Sequence, residues 1–116
     1  MNSVAQSEKS ALVQFFAGTP QIRMIDFLLE HRLTDFTKTE IAKGAKISWA
    51  TLFNHWDELE RHNLVKATRT VGRARLYQLN EDSPIIANLK KIEAVLMRHA
   101  AGEADEVAVM KVKARK

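Results

Sequence analysis

Cysteine is absent from the 116-residue chain, which excludes disulfide bonds, thiolate metal sites and thiol nucleophiles. Long apolar runs are also missing, since the longest span four residues and a membrane-spanning helix needs about 20. The sequence contains no phosphate-binding loop, paired-carboxylate motif or nucleophile elbow, and its four histidines never form a close pair. We therefore expect a cytoplasmic protein that is not an enzyme, uses no cofactor or metal, and does not contact a membrane.

The composition is that of one folded domain. Hydrophobic residues make up 46% of the chain and charged residues 28%, which is enough apolar material for a packed core. The 18 Lys and Arg residues outnumber the 14 Asp and Glu residues, so the formal net charge is +4. This excess of positive charge permits a polyanionic partner but does not require one.

The two prolines, Pro20 and Pro84, mark two helix starts. Each follows a serine or threonine, and this pairing is typical of an N-cap followed by the first helical residue. The helix that begins at the first proline is predicted over residues 20–31. A shorter helix is predicted before it, over residues 8–17, because its leucine and two phenylalanines share one side and a glycine follows.

Two further helix starts are marked by capping side chains. Thr37 and Glu40 form a capping box, which begins a predicted helix over residues 38–45. Ser48 is another N-cap, and the helix after it is predicted to end near residue 62. Its predicted inward residues are Leu52, Trp56 and Leu59.

After these helices the spacing of the apolar residues changes from a period of 3.6 residues, typical of a helix, to a period of 2 residues, typical of a strand. Residues 64–70 and 75–79 alternate or are rich in β-branched and aromatic residues, and residues 71–74 between them resemble a hairpin tip. The predicted fold class is therefore mainly α with a small β-hairpin.

Residues 40–52 resemble the helix-turn-helix of winged-helix transcription regulators of the ArsR/MarR type. Residues 59–65 resemble the approach to the wing in that family, and Gly72-Arg73 followed by residues 76–80 resembles the end of the wing. The resemblance covers about half of the chain and implies a winged helix-turn-helix fold that binds double-stranded DNA. One departure is Lys46, which stands where the family usually has glycine and is therefore expected at a positive φ.

The predicted elements divide the chain into four parts. Residues 1–18 form an N-terminal helical extension, and residues 19–80 form the winged helix-turn-helix domain. Residues 81–102 form a C-terminal dimerisation helix. Residues 103–116 form a basic tail, because four of the last six residues are Lys or Arg.

The second helix of a helix-turn-helix enters the major groove, so its outward residues are the predicted base contacts. They are Ser48, Trp49, Ala50, Thr51, Phe53 and Asn54. Asn54 can pair with adenine, whereas the Arg or Lys usual in the family is missing, so we expect an A·T-leaning site. Trp49 and Phe53 leave three interpretations open: contact with DNA, a place in the core if the helix is rotated, or a protein-binding surface.

The positive charges lie outside that helix. Residues 61–80 contain five cations and no carboxylate, and Arg73 stands at the predicted hairpin tip. We predict that residues of the wing, of the predicted helix over residues 38–45 and of the turn after that helix bind the DNA backbone or the minor groove. These residues are Lys38, Thr39, Lys46, Arg69, Arg73 and Arg75. The alternative is a solvated hairpin whose cations prevent association between sheet edges.

Apolar residues in the last predicted helix repeat at intervals of four and three, as in a coiled-coil seam. The seam consists of Ile85, Leu89, Ile92 and Leu96. Such a helix either packs on its own domain or pairs with a second copy. We favour a homodimer, with Phe15 and Phe16 as further interface residues.

Together these features predict a dimeric winged-helix protein that binds duplex DNA with sequence preference. We expect it to act as a transcription regulator in the cytoplasm, associated with the nucleoid. Two alternatives remain open. One is an interaction module that docks a protein partner, and the other is a plasmid-partition or architectural protein that spreads along DNA.

Overall fold

Five helices and three strands make up residues 10–102, the part of the chain that the computed structural model describes. The helices are α1 (Ala11–Phe16), α2 (Pro20–Glu30), α3 (Lys38–Ala45), α4 (Trp49–Arg61) and α5 (Pro84–Ala100). The strands are β1 (Phe36–Thr37), β2 (Val65–Val71) and β3 (Ala74–Leu79). The predicted basic tail and residues 1–9 of the predicted N-terminal extension lie outside the described residues.

A hydroxyl side chain caps the N-terminus of each described helix, because it pairs with a backbone N–H group that the first turn leaves free. The five caps are Ser10, Thr19, Thr37, Ser48 and Ser83. The predicted capping box is complete, since Glu40 also accepts the Thr37 backbone N–H at 2.9 Å. The helix predicted over residues 8–17 is described from Ala11 to Phe16, after Ser10 with the extended backbone of a cap, and residues 8–9 of this prediction lie outside the described residues.

The predicted hairpin belongs to a three-stranded antiparallel sheet with the strand order β1-β3-β2. The additional strand β1 pairs Phe36 with Tyr77 and Thr37 with Leu76. A strand of two residues leaves no periodic pattern, and Thr37 is also the cap of α3. For these reasons sequence patterns do not predict β1.

The core contains large apolar side chains from all five helices and from β3. Those with almost no exposed surface are Leu12, Met24, Leu28, Ile41, Leu52, Trp56, Leu59, Leu79 and Ile86. The predicted inward face of α4 is confirmed, and its Trp56 ring meets the Tyr77 ring edge-on with centroids 4.8 Å apart. Burial of this face determines which residues α4 turns to solvent.

Gly44 allows α3 to lie directly against α2. A Cβ atom at this position would overlap the ring of Phe27, so a larger residue does not fit without movement. The Phe27 ring also packs against the rings of Phe36 and His31, with centroids 4.8 Å and 4.9 Å away. This aromatic cluster joins α2 to β1 and sets the position of α3.

Candidate nucleic-acid interface

The turn between α3 and α4 depends on Lys46, which has the left-handed backbone conformation with a φ of 60°. The positive φ predicted for this residue is confirmed. The conformation is unfavourable for a residue with a Cβ atom, but it turns the chain at the end of α3, where the Lys46 N–H donates to the Lys43 carbonyl at 3.1 Å. The next N–H group, of Ile47, donates to the Ala42 carbonyl at 3.0 Å. The turn therefore places the start of α4 beside α3, with the Lys46 side chain exposed.

The outward face of α4 exposes two large aromatic rings. Trp49 and Phe53 are 51% and 64% exposed, and Ala50 and Asn54 are exposed beside them. The two ring centroids lie 6.1 Å apart, so the rings form one continuous apolar patch. The interpretation that Trp49 and Phe53 belong to the core is therefore wrong.

Ser48 and Thr51 use their hydroxyl groups within the helix cap. Ser48 Oγ accepts the Thr51 N–H at 3.0 Å and donates to Thr51 Oγ1 at 2.9 Å. The main hydrogen-bonding group that these two residues leave for a ligand is the Thr51 hydroxyl proton, which can be donated to an external acceptor. Asn54 differs, because its exposed amide has no hydrogen bond to another residue in the range 10–102. It is therefore the polar group on this face that is most available to a ligand.

A polar cluster between α2 and α4 adds hydrogen bonds to the packing that sets the rotation of α4. Gln21 Nε2 donates to Glu58 Oε1 at 2.6 Å and lies 3.2 Å from His55 Nδ1. The hydrogen bond from Gln21 is the main cause of a lowered pKa at Glu58, and His55 lowers it further. His55 therefore contributes to packing between the two helices.

The base of the wing is attached to the loop before β1 through Asp35. Arg69 Nε and Nη2 lie 3.0 Å and 3.2 Å from the two carboxylate oxygens of Asp35, and the Thr68 hydroxyl also donates to this carboxylate. Neighbouring strand residues normally point to opposite faces, but β2 has a register shift between Ala67 and Arg69. This bulge accounts for two consecutive side chains that reach one carboxylate. The hydrogen bonds from Arg69 and Thr68 lower the pKa of Asp35, and Asp35 raises the pKa of Arg69.

Sequence reasoning missed the role of Asp35. This residue stands 34 positions before Arg69, and no local pattern connects the two. Arg69, a predicted DNA contact, therefore has a structural partner within the domain, although its side chain remains 62% exposed.

Arg73 and Arg75 are two unpaired cations near the tip of the wing. The chain turns at Gly72 and Arg73 between the paired residues Val71 and Ala74, and the φ of 62° at Gly72 suits a tight hairpin turn. Both arginines are exposed, and neither has an ion pair with another described residue. Their charges are therefore available to an external anion.

A groove of about 250 Å³, which we call the wing groove, separates the start of α4 from the wing. Its lining includes Thr37, Lys38, Thr39, Trp49, Arg75 and Tyr77. Lys38 Nζ lies 5.2 Å and 5.7 Å from the ring centroids of Trp56 and Tyr77, which is within the range of a cation–π contact. The lining contains the cations Lys38 and Arg75 and no carboxylate, so the electrostatic potential of the groove favours an anion.

A second groove, of about 380 Å³, lies on the other side of Trp49, between α3 and the turn. Lys43 and Ile47 line it together with Thr39. Lys43 and the nearby Lys46 are exposed and have no ion pair within residues 10–102. The start of α4 carries no cation itself, but cations flank it on both sides.

The helices α1 and α5 carry a separate set of exposed apolar side chains, which we call the terminal-helix surface. It consists of Phe15, Ile85, Ile92, Val95 and Met97. Other residues predicted for a dimer interface lie partly buried against the core of the same domain: Phe16, Leu89 and Leu96. The predicted seam of α5 is therefore divided, since half of it packs on its own domain and half faces solvent.

Carboxylates lie between α2 and α5. Asp26 is 9% exposed, and its Oδ1 atom has no hydrogen-bond partner among residues 10–102. Burial raises the pKa of Asp26, while a hydrogen bond with the Ser10 side chain opposes this shift. Burial also raises the pKa of Glu93 on α5, and the charges of Asp26 and Glu30 raise it further. Ionised carboxyl groups are therefore disfavoured in this part of the domain.

Residues 10–102 contain no group of three histidine, aspartate or glutamate side chains arranged to hold a metal ion. None of the helices in the described part of the chain combines the length and the apolar character needed to cross a lipid bilayer.

No protein-family model and no curated protein sequence matches the chain, but solved structures do. MepR, a transcription regulator of the Staphylococcus aureus multidrug efflux pump MepA, matches with a TM-score of 0.57 at 19% identity, over 90% of this chain and 79% of that chain. NadR in complex with 4-hydroxyphenylacetate matches with a TM-score of 0.59 at 17% identity, over 97% and 88%. The antimony-specific transcriptional repressor AntR matches with a TM-score of 0.53 at 16% identity, over 69% and 68%.

These similarities at low sequence identity establish the fold. The chain is a winged helix-turn-helix protein, in which α3 and α4 form the helix-turn-helix and β2 and β3 form the wing. The fold predicted from the sequence is confirmed, with β1 as an additional strand.

Proposed function

We propose that the chain binds double-stranded DNA with sequence preference and regulates transcription as a homodimer. One observation carries the proposal: the outward face of α4 and the wing border the same groove, and both charged residues in its lining are cations. MepR and AntR, which share the fold, are a transcription regulator and a transcriptional repressor. A protein with this role acts on the nucleoid, in the cytoplasm.

The wing groove has the position that a DNA backbone strand requires. When a helix lies in the major groove and a wing lies over the adjacent minor groove, one phosphodiester strand runs between them. Lys38 and Arg75 can neutralise phosphates of that strand, and the exposed Thr39 hydroxyl can donate to a phosphate oxygen. Arg73 at the wing tip then extends toward the minor groove, where narrow A·T-rich segments attract arginine.

The outward face of α4 supplies the base contacts in this arrangement. The Asn54 amide can accept from N6 and donate to N7 of adenine, while Ala50 offers apolar surface to a neighbouring base. The proton of the Thr51 hydroxyl can bind a phosphate or a base edge. Sequence preference then comes from α4, and most of the affinity comes from the cations around it.

The terminal-helix surface supports the homodimer. The exposed isoleucines and phenylalanine there are already about half buried, so each stabilises an interface by about 1 kcal/mol when its remaining exposed surface is buried. The proposed dimer has its twofold axis through this surface and its two α4 helices on one side. They then contact half-sites about 34 Å apart, one turn of DNA.

Selection of bound duplexes from a random pool, repeated at two salt concentrations, tests the proposal. Arg73→Ala should weaken binding to all selected sequences alike and reduce the slope of log affinity against log salt by about one per protomer. Arg98→Ala removes the same charge from the last turn of α5 and should leave the slope unchanged. Lack of binding to any duplex at low salt contradicts the proposal, as does an affinity that Arg73→Ala does not alter.

A protein-docking role is the second candidate, because the exposed Trp49 and Phe53 rings lie on a helix whose first half has no cation. If a protein partner binds through these rings, Trp49→Ala should abolish its binding and Arg73→Ala should leave its binding unchanged. Footprinting separates regulation from an architectural or partition role. A regulator protects one palindromic site, whereas a protein that spreads along DNA protects a long cooperative tract.

A further inference from the structure

The part of α4 that faces the proposed major groove is mostly apolar. Trp49, Ala50 and Phe53 present carbon surface, and the two rings are more than half exposed. No Lys or Arg occurs from Ser48 to Glu60. This surface therefore lacks the arginine or lysine side chains that usually bind the guanine edge.

Thymine is the base whose major-groove edge complements such a surface. Guanine, adenine and cytosine present only hydrogen-bonding groups there, whereas thymine also presents its C5 methyl group. If rings covered donors and acceptors, those groups would lose their partners in water and affinity would fall. If rings cover a methyl group, apolar surface leaves water and affinity rises.

We propose that Trp49 and Phe53 bind the C5 methyl groups of two thymines within three consecutive base pairs, and that Asn54 pairs with an adenine in the same A·T tract. The ring centroids lie 6.1 Å apart and successive base pairs rise by about 3.4 Å, so the rings span about two steps. This inference rests on the proposed function. It specifies the ligand as a duplex with two thymines within three consecutive base pairs of each half-site.

The charges around the rings favour DNA over an apolar protein surface as the occupant. Lys43 and Lys46 lie on the α3 side of Trp49, and Arg75 lies on the wing side. None of these three cations has an ion pair with another residue that the structure describes. Unpaired cations on both sides can hold a duplex by its phosphates while the rings meet the base edges between them.

Replacement of thymine by deoxyuridine tests the inference, because it removes the methyl group and keeps Watson–Crick pairing. The probes are a duplex obtained by selection from a random pool and copies of it with one thymine replaced at a time. For the wild-type chain, replacement at either of two positions in a half-site should weaken binding about fourfold, the effect expected for one buried methyl-sized group. Replacement elsewhere should have no effect.

Substitutions of the two rings connect each thymine to one side chain. Phe53→Ala should remove the fourfold difference at one of the two positions, and Trp49→Ala should remove it at the other. Phe53→Leu keeps an apolar group and should retain part of the difference. Arg73→Ala is the control, since it should weaken both duplexes alike and keep their ratio. Thermal unfolding checks that each variant is folded.

Three results would overturn the inference and leave DNA binding intact. The first is equal affinity of the wild-type chain for thymine and uracil duplexes. The second is a uracil effect that persists in both Phe53→Ala and Trp49→Ala, because the methyl group would then act through another residue or through duplex shape. The third is a selected site with only G·C pairs at the α4 contact. Lack of binding to any duplex overturns both this inference and the proposed function.

Discussion

The α4 face and the terminal-helix surface both expose large apolar side chains, yet the charges around them differ. The rings on α4 are flanked by cations that have no ion pair within residues 10–102. The charged residues of α5 are three cations and one carboxylate, Glu93, and one of the cations, Lys90, pairs with Glu81 at 2.8 Å. A patch surrounded by one sign of charge suits a polyanion, whereas a patch among mixed charges suits a second copy of the same surface. Exposed apolar area alone therefore does not identify a partner, and the charges at its edge do.

Ile92→Asp tests whether the terminal-helix surface binds a second copy, and it has the largest expected effect. A charge in the middle of a twofold interface appears twice, so dimerisation should weaken by about 4 kcal/mol, about 2 kcal/mol for each copy. The chain should then sediment as a monomer, and affinity for a palindromic duplex should fall because each half-site binds separately. Leu33→Asp is the control, because Leu33 is 87% exposed in the loop after α2. A dimeric Ile92→Asp variant would show that this surface does not form the interface.

Gly44→Ala disturbs the packing of α3 on α2, which positions the α4 face, and leaves the terminal-helix surface unchanged. The added methyl group overlaps the Phe27 ring, so the free energy of unfolding should fall by about 2 kcal/mol. Urea denaturation measures the loss. The double variant with Phe27→Leu should recover part of it, since the smaller side chain makes room for the methyl group. A single variant as stable as the wild-type chain would contradict the close approach of α2 and α3.

Asp26→Asn tests how the buried carboxylate beside α5 makes the stability of the domain depend on pH. Burial raises the pKa of Asp26 above its ordinary value of 3.8, so the folded protein binds this proton more tightly than the unfolded chain. Stability should therefore fall as pH rises from 3.8 through the raised pKa. The variant should lose this part of the pH dependence and gain about 1 kcal/mol of stability at neutral pH, because a buried charge is removed. Urea denaturation across a pH series measures both effects.

Asp35→Asn, at the base of the wing, should change stability at neutral pH in the opposite direction to Asp26→Asn. Hydrogen bonds from Arg69 and Thr68 lower the pKa of Asp35, so its contribution is present above 3.8 and is lost as pH falls through the lowered pKa. The variant should be less stable than the wild-type chain at neutral pH, and the difference should vanish in acid. If both variants change stability in the same direction at pH 7, the assignment of opposite environments to the two carboxylates is wrong.

Local signals in the sequence predicted most of the fold. The capping residues Thr19, Thr37, Ser48 and Ser83 act through backbone groups within a few positions, and helical spacing alone placed Leu52, Trp56 and Leu59 in the core. The features that sequence reasoning missed depend on contacts between distant segments. The pairing of β1 with β3 and the fit of Gly44 against Phe27 arise only once the helices have packed.

The same distinction holds for the candidate site. The exposure of Trp49 and Phe53 agrees with the spacing of their buried neighbours, although the sequence alone left a place in the core open for both rings. The bond between Arg69 and Asp35 was not predictable, because it requires a bulge in β2 and a residue 34 positions away. The sharing of hydroxyl groups between Ser48 and Thr51 depends on side-chain rotation, which sequence patterns do not specify.

Attachment of the wing at Arg69 leaves only a short free arm. Three positions separate Arg69 from Gly72, so at about 3.3 Å per strand residue the arm is about 10 Å long. The short length of this arm limits how far its tip can move relative to the aromatic rings on α4. A duplex whose minor groove lies at another offset would lose one of the two contacts. On the proposed function, the attachment of the wing therefore favours duplexes in which the adjacent major and minor grooves lie at this offset.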